Sequence, residues 1–248
     1  MAKISPVIPA ESALPGGAVA DPASCLGEGR YCDLGHPSIR AAAEQVLEPG
    51  LPAREQAVRL FRFVRDEVRY FFGPWGVRAS ETLASREGTC SNKNNLFVAL
   101  LRSVGIPAAY GVLRVNAREY FGNITPEAWK PRGSANSTHI YAAAFLDGRW
   151  VRCDTSADRE AASKLSHFNR QTRLVEWDGA HDGMDRLDPA HVHGDFGLFA
   201  NVDDLLAKEH RNATPELFAL LNDLNRFVRA HPPFPSVDAL MEAYFGRR

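Results

Sequence analysis

The sequence predicts a mixed α+β protein in which helices lie before and after a block of antiparallel strands. Three observations predict it. Apolar residues recur at helical spacing after Pro52 and again after Cys90, and an Asp-Gly turn separates two apolar runs between residues 140 and 154. Helical patterns return beyond residue 201. A chain of 248 residues can bury a sizeable core without disulfides or metals.

The composition excludes several classes of function. There are 29 basic and 30 acidic residues, so the net charge of −1 creates no field that favours nucleic acid or an anionic membrane. No apolar run approaches the roughly 20 residues of a membrane span, and the N-terminus lacks the apolar core of a signal peptide. Four cysteines are too few for a disulfide scaffold at this length. We therefore expect a cytoplasmic protein that binds neither nucleic acid nor membrane; its oligomeric state stays open.

The first predicted elements are an arm and two helices. Residues 1–36 are rich in Pro, Gly, Ala and Ser, which indicates a loosely structured N-terminal arm. A first helix begins at Pro37. The next helix follows Pro52, and its buried stripe comprises Ala57, Leu60, Phe61, Val64, Val68 and Phe71. The Gly-Pro-Trp-Gly sequence of residues 73–76 breaks that helix.

The central elements bring a cysteine to the start of a helix. A short helix over Ser80–Glu87 leads into Gly88-Thr89-Cys90, and apolar spacing then predicts a helix that ends before Gly105. A long loop is expected from Asn116 to Ser137. The strands that flank and follow this loop are predicted over Ala108–Val115, Ile140–Leu146 and Trp150–Asp154.

The remaining residues predict a largely helical extension with an irregular segment over 166–201. Its helices are expected over Ala157–Leu165, Val202–Lys208, Pro215–Ala230 and Val237–Tyr244. Thr214 and Ser236 can cap the last two, because a hydroxyl there accepts a hydrogen bond from the first turn. The predicted organisation is an arm over 1–36, a core over 37–160, and an extension over 161–248 that packs on the core.

Cys90 is a candidate nucleophile because a helix N-terminus favours the thiolate. The unpaired amides and the partial positive charge of the first turn stabilise the anion, and an adjacent imidazole stabilises it further. The backbone amide of Cys90 can also point at a developing oxyanion. Position alone is weak evidence, since most helical cysteines are small buried hydrophobic residues.

His139 and Asp154 strengthen the assignment through the register of the predicted hairpin. With a two-residue turn at Asp147-Gly148, Tyr141 faces Asp154 and His139 is its diagonal neighbour on the same face of the sheet. A three-residue loop would put the two residues on opposite faces. Taken singly, His139 is also explained as a polar residue that enters a strand, and Asp154 as a turn residue at a strand end.

Three blocks around these residues resemble the transglutaminase-like superfamily, in particular its small bacterial-type members. The first block is Glu87-Gly88-Thr89-Cys90, whose helix ends in Gly105-Ile106-Pro107-Ala108. The second is Thr138-His139-Ile140-Tyr141, and the third is Gly148-Arg149-Trp150-Val151-Arg152-Cys153-Asp154-Thr155. The resemblance extends over residues 50–160, and the order and spacing of the three blocks also resemble those of the family.

The resemblance implies a papain-like fold, in which the nucleophile-bearing helix packs on an antiparallel sheet that carries the histidine and the aspartate. It implies that Cys90 attacks a carbonyl, that His139 moves the proton and that Asp154 orients the imidazole. An upstream side chain often completes the oxyanion hole in this family. Tyr70, expected at the end of the preceding helix, is the first candidate here and Trp75 the second, although core packing would also explain either residue.

Two departures from the family pattern leave the substrate open. Residues 91–95 read Ser-Asn-Lys-Asn-Asn, which is unusually polar. Ser91 and Asn92 are therefore candidates for the wall of a substrate pocket, unless this run simply faces water. Ile140-Tyr141 replaces the more usual small residue and Trp. Nothing resembles the calcium sites or the β-sandwich domains of the large animal transglutaminases, so protein crosslinking is not favoured.

The predicted activity is hydrolysis of an amide, peptide or thioester through a thioester at Cys90. The substrate is a small molecule or a peptide, and we expect no cofactor and no metal. Two alternatives stay open. One is an acyltransferase or cyclase of small-molecule biosynthesis that uses the same triad, and the other is a binding module that keeps the fold without turnover.

Other residues carry weaker signals. Cys25, Cys32 and His36 do not have the spacing of a typical zinc site. His191 and His193 are expected in a surface loop, with alternate ligands on a strand or a lid over the site as the other readings. Cys153 is expected to be a buried strand residue.

Overall fold

The computed structural model describes residues 21–116, 136–168, 172–184, 188–208 and 214–247. The α-helices of these ranges are α1 (Pro37–Val46), α2 (Ala53–Glu67), α3 (Ala79–Ser85), α4 (Cys90–Ser103), α5 (Arg159–Leu165), α6 (Asp203–Lys208), α7 (Pro215–Ala230) and α8 (Val237–Gly246). The strands are β1 (Arg69–Tyr70), β2 (Glu87–Gly88), β3 (Ala108–Val115), β4 (Ser137–Leu146), β5 (Arg149–Cys153) and β6 (Val192–Phe199). Most of the predicted arm and of the predicted long loop lies outside the described residues.

Helix α4 is the centre of the packing. Every residue from Cys90 to Arg102 is buried, because α1, α2 and α3 surround the helix and its remaining side packs on β3 and β4. These two strands belong to an antiparallel sheet with the strand order β5-β4-β3-β6. The cysteine-bearing helix therefore packs on an antiparallel sheet, which confirms the predicted α+β class.

The hairpin of β4 and β5 confirms the predicted register. Asp147 and Gly148 have φ angles of 50° and 80°, and positive φ at both central residues is what a two-residue type I′ turn requires. Ala142 faces Cys153. Continued by one step past the end of β5, this register would put Tyr141 opposite Asp154, which places His139 and Asp154 on the same face of the sheet.

The helical caps were also predicted correctly. The hydroxyl of Thr214 accepts a hydrogen bond from the Leu217 amide at 3.3 Å, and that of Ser236 accepts one from the Ala239 amide at 3.1 Å. The last two helices share a small apolar cluster of their own, formed by Phe227, Val228, Leu240 and Tyr244. In the part of the chain that the structure describes, no helix combines the length and the apolarity needed to cross a bilayer.

The prediction of an irregular segment over 166–201 is wrong for its last part. Val192–Phe199 forms β6, which pairs antiparallel with β3 at the edge of the sheet. Gly194 and Gly197 interrupt the apolar alternation that would have marked a strand, and the pairing contains register shifts. His193 therefore lies on an edge strand rather than in a surface loop. Val192–Phe199 is hydrogen-bonded into the sheet, and a lid role for the rest of the segment stays a prediction.

Candidate active site

Cys90 is the first residue of α4, and the turn before it is fixed by a reciprocal cap. The amide of Thr89 donates to Oδ1 of Asn92 at 2.9 Å, and the Thr89 hydroxyl accepts from the Asn92 amide at 3.4 Å. This capping box holds the first turn in place and leaves the amides of that turn near the Cys90 thiol. Cys90 is 8% exposed, so the sulfur lies at the boundary of the core.

His139 and Asp154 form a buried pair. Nε2 of His139 lies 2.9 Å from Oδ2 of Asp154, and their side chains are 4% and 0% exposed. Because Nε2 is engaged by the carboxylate, Nδ1 is the ring nitrogen that would exchange a proton with a thiol. A carboxylate at this position orients the ring and selects one of its tautomers.

The second oxygen of Asp154 is fixed as firmly as the first. Oδ1 accepts a hydrogen bond from the Ser156 amide at 2.9 Å and another from the Ser156 hydroxyl. The Asn94 side-chain amide lies 3.3 Å from the same oxygen. A buried carboxylate needs such donors, because burial of an unpaired charge is costly. The orientation of His139 therefore rests on a carboxylate that has no freedom to turn.

Asn94 joins these residues to the cysteine. Its Nδ2 donates to the carbonyl of Cys90 at 2.9 Å and to the carbonyl of Ile140 at 3.0 Å. Its Oδ1 accepts from the amide and the hydroxyl of Thr155 at 3.2 and 3.1 Å. One side chain thus contacts the backbone of the cysteine helix, of the strand beside His139 and of the segment after Asp154. Sequence reasoning missed Asn94, because a polar run on a helix gives no sign of its long-range partners.

The polar run after Cys90 does not face water. Residues 91–95 are all buried, with Ser91 at 0% and Asn92 at 3% exposure. The Ser91 hydroxyl bonds that of Thr89 at 2.8 Å, and Nδ2 of Asn92 donates to the Trp75 carbonyl at 2.9 Å. These contacts give both candidate pocket residues internal partners. A role for either in a substrate pocket stays a proposal.

Lys93, in the same run, is bound to another helix. Its ammonium donates to the carbonyls of Arg65 at 3.2 Å and of Val68, where α2 ends, and it lies 3.4 Å from the carbonyl of Ala157. A cation at a helix C-terminus satisfies carbonyls that have no partner within the helix. Lys93 therefore ties the end of α2 to the first turns of α4.

Tyr70, the oxyanion candidate, lies on a strand and not at the end of the preceding helix as predicted. Helix α2 ends at Glu67, and Tyr70 belongs to β1, where it pairs with Gly88, two residues before Cys90. The apolar residues keep helical spacing beyond Glu67, but the pairing of β1 with β2 replaces the next helical turn. Trp75 is 4% exposed and packs in the main core.

Helix α7 holds the Tyr70 backbone in place. Asn225 donates to the Tyr70 carbonyl at 2.7 Å, and the Tyr70 amide donates to Asp158 at 2.7 Å. Arg229 bonds the same Asp158 carboxylate at 2.7 Å. Burial raises the pKa of Asp158, but hydrogen bonds from Arg229 and the nearby charge of Lys93 bring it below its usual value.

A cleft of about 300 Å³ lies beside Arg229, and none of the three triad residues lines it. Its walls are Arg69, Phe71, Glu87, Glu160, Arg226, Arg229 and Ala230. The guanidinium carbons of Arg226 and Arg229 lie 5.2 and 5.4 Å from the centre of the Phe71 ring. We place the candidate active site at Cys90, His139 and Asp154, because a thiol at a helix N-terminus and a buried imidazole–carboxylate pair are the groups that acyl-transfer chemistry requires.

The other three cysteines differ from Cys90 in burial and environment. Cys25, Cys32 and Cys153 are 0%, 3% and 0% exposed, and all four thiols are free. Burial raises the pKa of each of these three thiols, most strongly for Cys153, which pairs with Ala142 within the sheet. They therefore provide internal controls for the reactivity of Cys90.

The spacing of cysteines and histidines predicted a metal site less strongly than the three sequence blocks predicted a cysteine nucleophile. No group of three or more His, Cys, Asp or Glu side chains in the described ranges could hold a metal ion. His36 accepts a hydrogen bond from the Ser38 amide at the start of α1. His191 ends a short 3₁₀ turn over Pro189–His191.

Comparison with known proteins matches the part of the chain that carries this site. Residues 40–155 match the sequence model of the transglutaminase-like superfamily. The search of curated proteins found no match. One similar solved structure, from Cytophaga hutchinsonii, is described as a "putative cysteine protease"; it is 20% identical, with a TM-score of 0.44, over 55% of this chain and 42% of that one.

Two further solved structures show weaker similarity. A "putative protease" from Parabacteroides distasonis is 13% identical, with a TM-score of 0.37, over 50% of this chain and 24% of that one. The transglutaminase of red sea bream is 11% identical, with a TM-score of 0.40, over 77% of this chain and 42% of that one. The chain thus spans less than half the length of each of these three proteins.

Proposed function

We propose that this chain, whose residues 40–155 match the sequence model of the transglutaminase-like superfamily, is a cysteine-dependent acyl-transfer enzyme that hydrolyses an amide, peptide or thioester. Cys90 is the nucleophile, His139 the base and Asp154 the residue that orients the base. The observation that carries the proposal is the buried His139–Asp154 pair, whose carboxylate shares the amide of Asn94 with the Cys90 carbonyl.

The proposed first half of the reaction forms a thioester. His139 takes the thiol proton, and the thiolate of Cys90 attacks the carbonyl carbon, so that a carbon–sulfur bond forms and the carbonyl oxygen becomes an oxyanion. The Cys90 amide, with Tyr70 as a second candidate donor, stabilises that oxyanion. His139 then gives the proton to the leaving amine or thiol as its bond to the carbonyl carbon breaks.

The second half releases the product. His139 takes a proton from water, and the resulting hydroxide attacks the thioester carbon. The carbon–sulfur bond breaks, a carboxylic acid leaves, and the proton returns to the sulfur of Cys90. Asp154 stabilises the imidazolium in both halves without accepting its proton. The reaction balances with water as the only co-substrate.

The test is selective alkylation. The protein is treated with iodoacetamide across a pH series of roughly 5 to 9, on both sides of the usual thiol value, and mass spectrometry locates each modified cysteine. We expect Cys90 to be labelled well below pH ~8.5, while Cys25, Cys32 and Cys153 stay unlabelled. The variant His139→Ala should move the midpoint of the Cys90 labelling curve upward.

Two results would contradict the proposal. One is equal, slow labelling of all four cysteines in the wild-type protein. The other is a Cys90 labelling curve that His139→Ala leaves unchanged, because the imidazole would then have no influence on the thiol. A folded control such as Cys153→Ala checks that loss of a cysteine elsewhere does not alter the Cys90 curve.

A further inference from the structure

Asn94 has contacts that a merely structural asparagine does not need. It lies one helical turn after Cys90 on α4 and is fully buried. The three residues of the proposed triad come from three separate segments, namely the start of α4, strand β4 and the segment after β5. Asn94 bonds a backbone group in or next to each of these residues, through Cys90, Ile140 and Thr155.

The hydrogen-bonding capacity of the Asn94 amide is used fully. Its two Nδ2 hydrogens match the two short contacts to carbonyls, at 2.9 and 3.0 Å. Oδ1 has two lone pairs and accepts two bonds from Thr155. The 3.3 Å distances from Nδ2 to Asp154 and Ser156 are longer and add an electrostatic contribution to the carboxylate. No other side-chain type of this size has two donors and two acceptor positions in this arrangement.

The next residue in the chain provides a natural comparison. Asn95 is also an asparagine, 1% exposed, on the same helix. Its amide donates to the Tyr31 carbonyl at 2.8 Å and accepts from the Tyr110 hydroxyl at 2.8 Å. Those partners belong to the packing of α4 against other segments. Asn95 thus resembles Asn94 in burial and in having hydrogen-bond partners at both ends of its amide, but its hydrogen bonds do not reach the triad segments.

We propose that Asn94 is a positioning residue that fixes Cys90, His139 and Asp154 relative to one another, an inference that rests on the proposed function. It acts through the backbone of the three segments and contacts no reacting atom. Removal of its amide uncouples the turn after Asp154 from the cysteine helix. Displacement of reacting groups by about 1 Å can cost on the order of a hundredfold in rate, so a small loosening has a large effect.

The experiment compares Asn94→Ala with Asn95→Ala. Each variant leaves buried polar groups without partners, so both should lower the midpoint of urea unfolding. Only Asn94→Ala should also change the chemistry of the site. We expect its rate of Cys90 alkylation below pH ~7 to fall at least tenfold, within the roughly hundredfold range of misplacement effects, whereas Asn95→Ala should keep the wild-type labelling curve.

A second variant covers the case in which Asn94→Ala does not fold. Asn94→Asp keeps the size of the side chain and its bonds from Thr155, but it cannot donate to Cys90 and Ile140 and places a second carboxylate near Asp154. It should lose low-pH labelling of Cys90 as well.

The outcomes separate this inference from the proposed function. If the wild-type protein shows activated Cys90 and the Asn94 variants label like Asn95→Ala, the positioning role is overturned and the proposed function stands. If the wild-type Cys90 is itself unreactive at low pH, the proposed function fails, and Asn94 then has no site to position. Loss of low-pH labelling in the folded Asn94 variants alone supports the inference.

Discussion

Replacement of Asp154 by asparagine should disable His139 while keeping the fold, and the structure gives the reason. Asn has the shape of Asp, but one of its oxygens becomes an amide donor. At Asp154, the Oδ1 position faces the Ser156 amide at 2.9 Å, the Ser156 hydroxyl and the Asn94 amide. The Oδ2 position faces Nε2 of His139 at 2.9 Å.

The new amide group therefore has a preferred orientation. If its NH₂ pointed toward Ser156, it would meet the backbone N–H there, and an unsatisfied buried donor costs about 1–3 kcal/mol. The oxygen should accordingly stay beside Ser156, and the NH₂ should face Nε2 of His139. Nε2 must then accept a hydrogen bond, which places the ring proton on Nδ1. A neutral ring with that proton cannot take one from Cys90.

The size of the effect follows from the bond that is lost. A hydrogen bond to a charged group contributes about 1.5–3 kcal/mol, and one pH unit corresponds to about 1.36 kcal/mol. Loss of the carboxylate that stabilises the imidazolium should therefore move the midpoint of Cys90 alkylation upward by about one to two pH units.

The assay is iodoacetamide labelling of Asp154→Asn and wild-type protein across the same pH series, with urea unfolding as the check on folding. Asn95→Ala provides a second control for a buried polar change on the nearby helix. The reasoning would be refuted if the wild-type Cys90 is activated and the folded Asp154→Asn variant gives the same labelling curve.

Two further predictions concern stability. Gly111→Ala should lower the free energy of unfolding by about 1–3 kcal/mol or more, because a Cβ there would lie 1.9 Å from Cζ of Tyr141. Thermal unfolding measures this loss of stability. An equal loss in a Tyr141→Ala background would contradict the explanation. Arg229→Met should lower the free energy of unfolding by about 3–5 kcal/mol at neutral pH, because Arg229 and Asp158 form a buried ion pair whose side chains are 6% and 2% exposed. Since the pKa of Asp158 is lowered in the folded protein, the pair stabilises the fold above about pH 4 and its contribution is lost as the pH falls through the lowered pKa. Because Arg229→Met lacks the pair, its stability in urea unfolding should fall less than that of the wild-type protein as the pH drops below about 4, and an unchanged pH profile would count against the pair.

Local patterns predicted much of the fold from the sequence. Ala108–Val115 and Pro215–Ala230 have the bounds that their patterns predicted. The Asp147-Gly148 turn predicted the hairpin register. That register predicted that His139 and Asp154 share a face of the sheet, and Nε2 of His139 lies 2.9 Å from Oδ2 of Asp154. Their catalytic role with Cys90 stays a prediction that the labelling experiment tests.

Other features depended on partners distant in the sequence. Helical spacing continued through Phe71, but the amides of Arg69 and Phe71 donate to Arg86 and Gly88 instead of to the preceding turn. The competing hydrogen bonds come from a segment 17 residues further along the chain. Likewise β6 has no alternation of its own and exists because β3 offers it a free edge.

The sequence by itself predicted Cys90, His139 and Asp154 as the candidate catalytic residues and determined the hairpin register that brings two of them together, because turn geometry and helix capping act over a few residues. Only the tertiary structure decided what the polar run after Cys90 does. A sequence does not distinguish a buried asparagine from an exposed one. Whether an asparagine can be buried depends on whether distant backbone groups come within hydrogen-bonding distance. For Asn94 those groups belong to Ile140 and Thr155, which the fold brings to the same side chain.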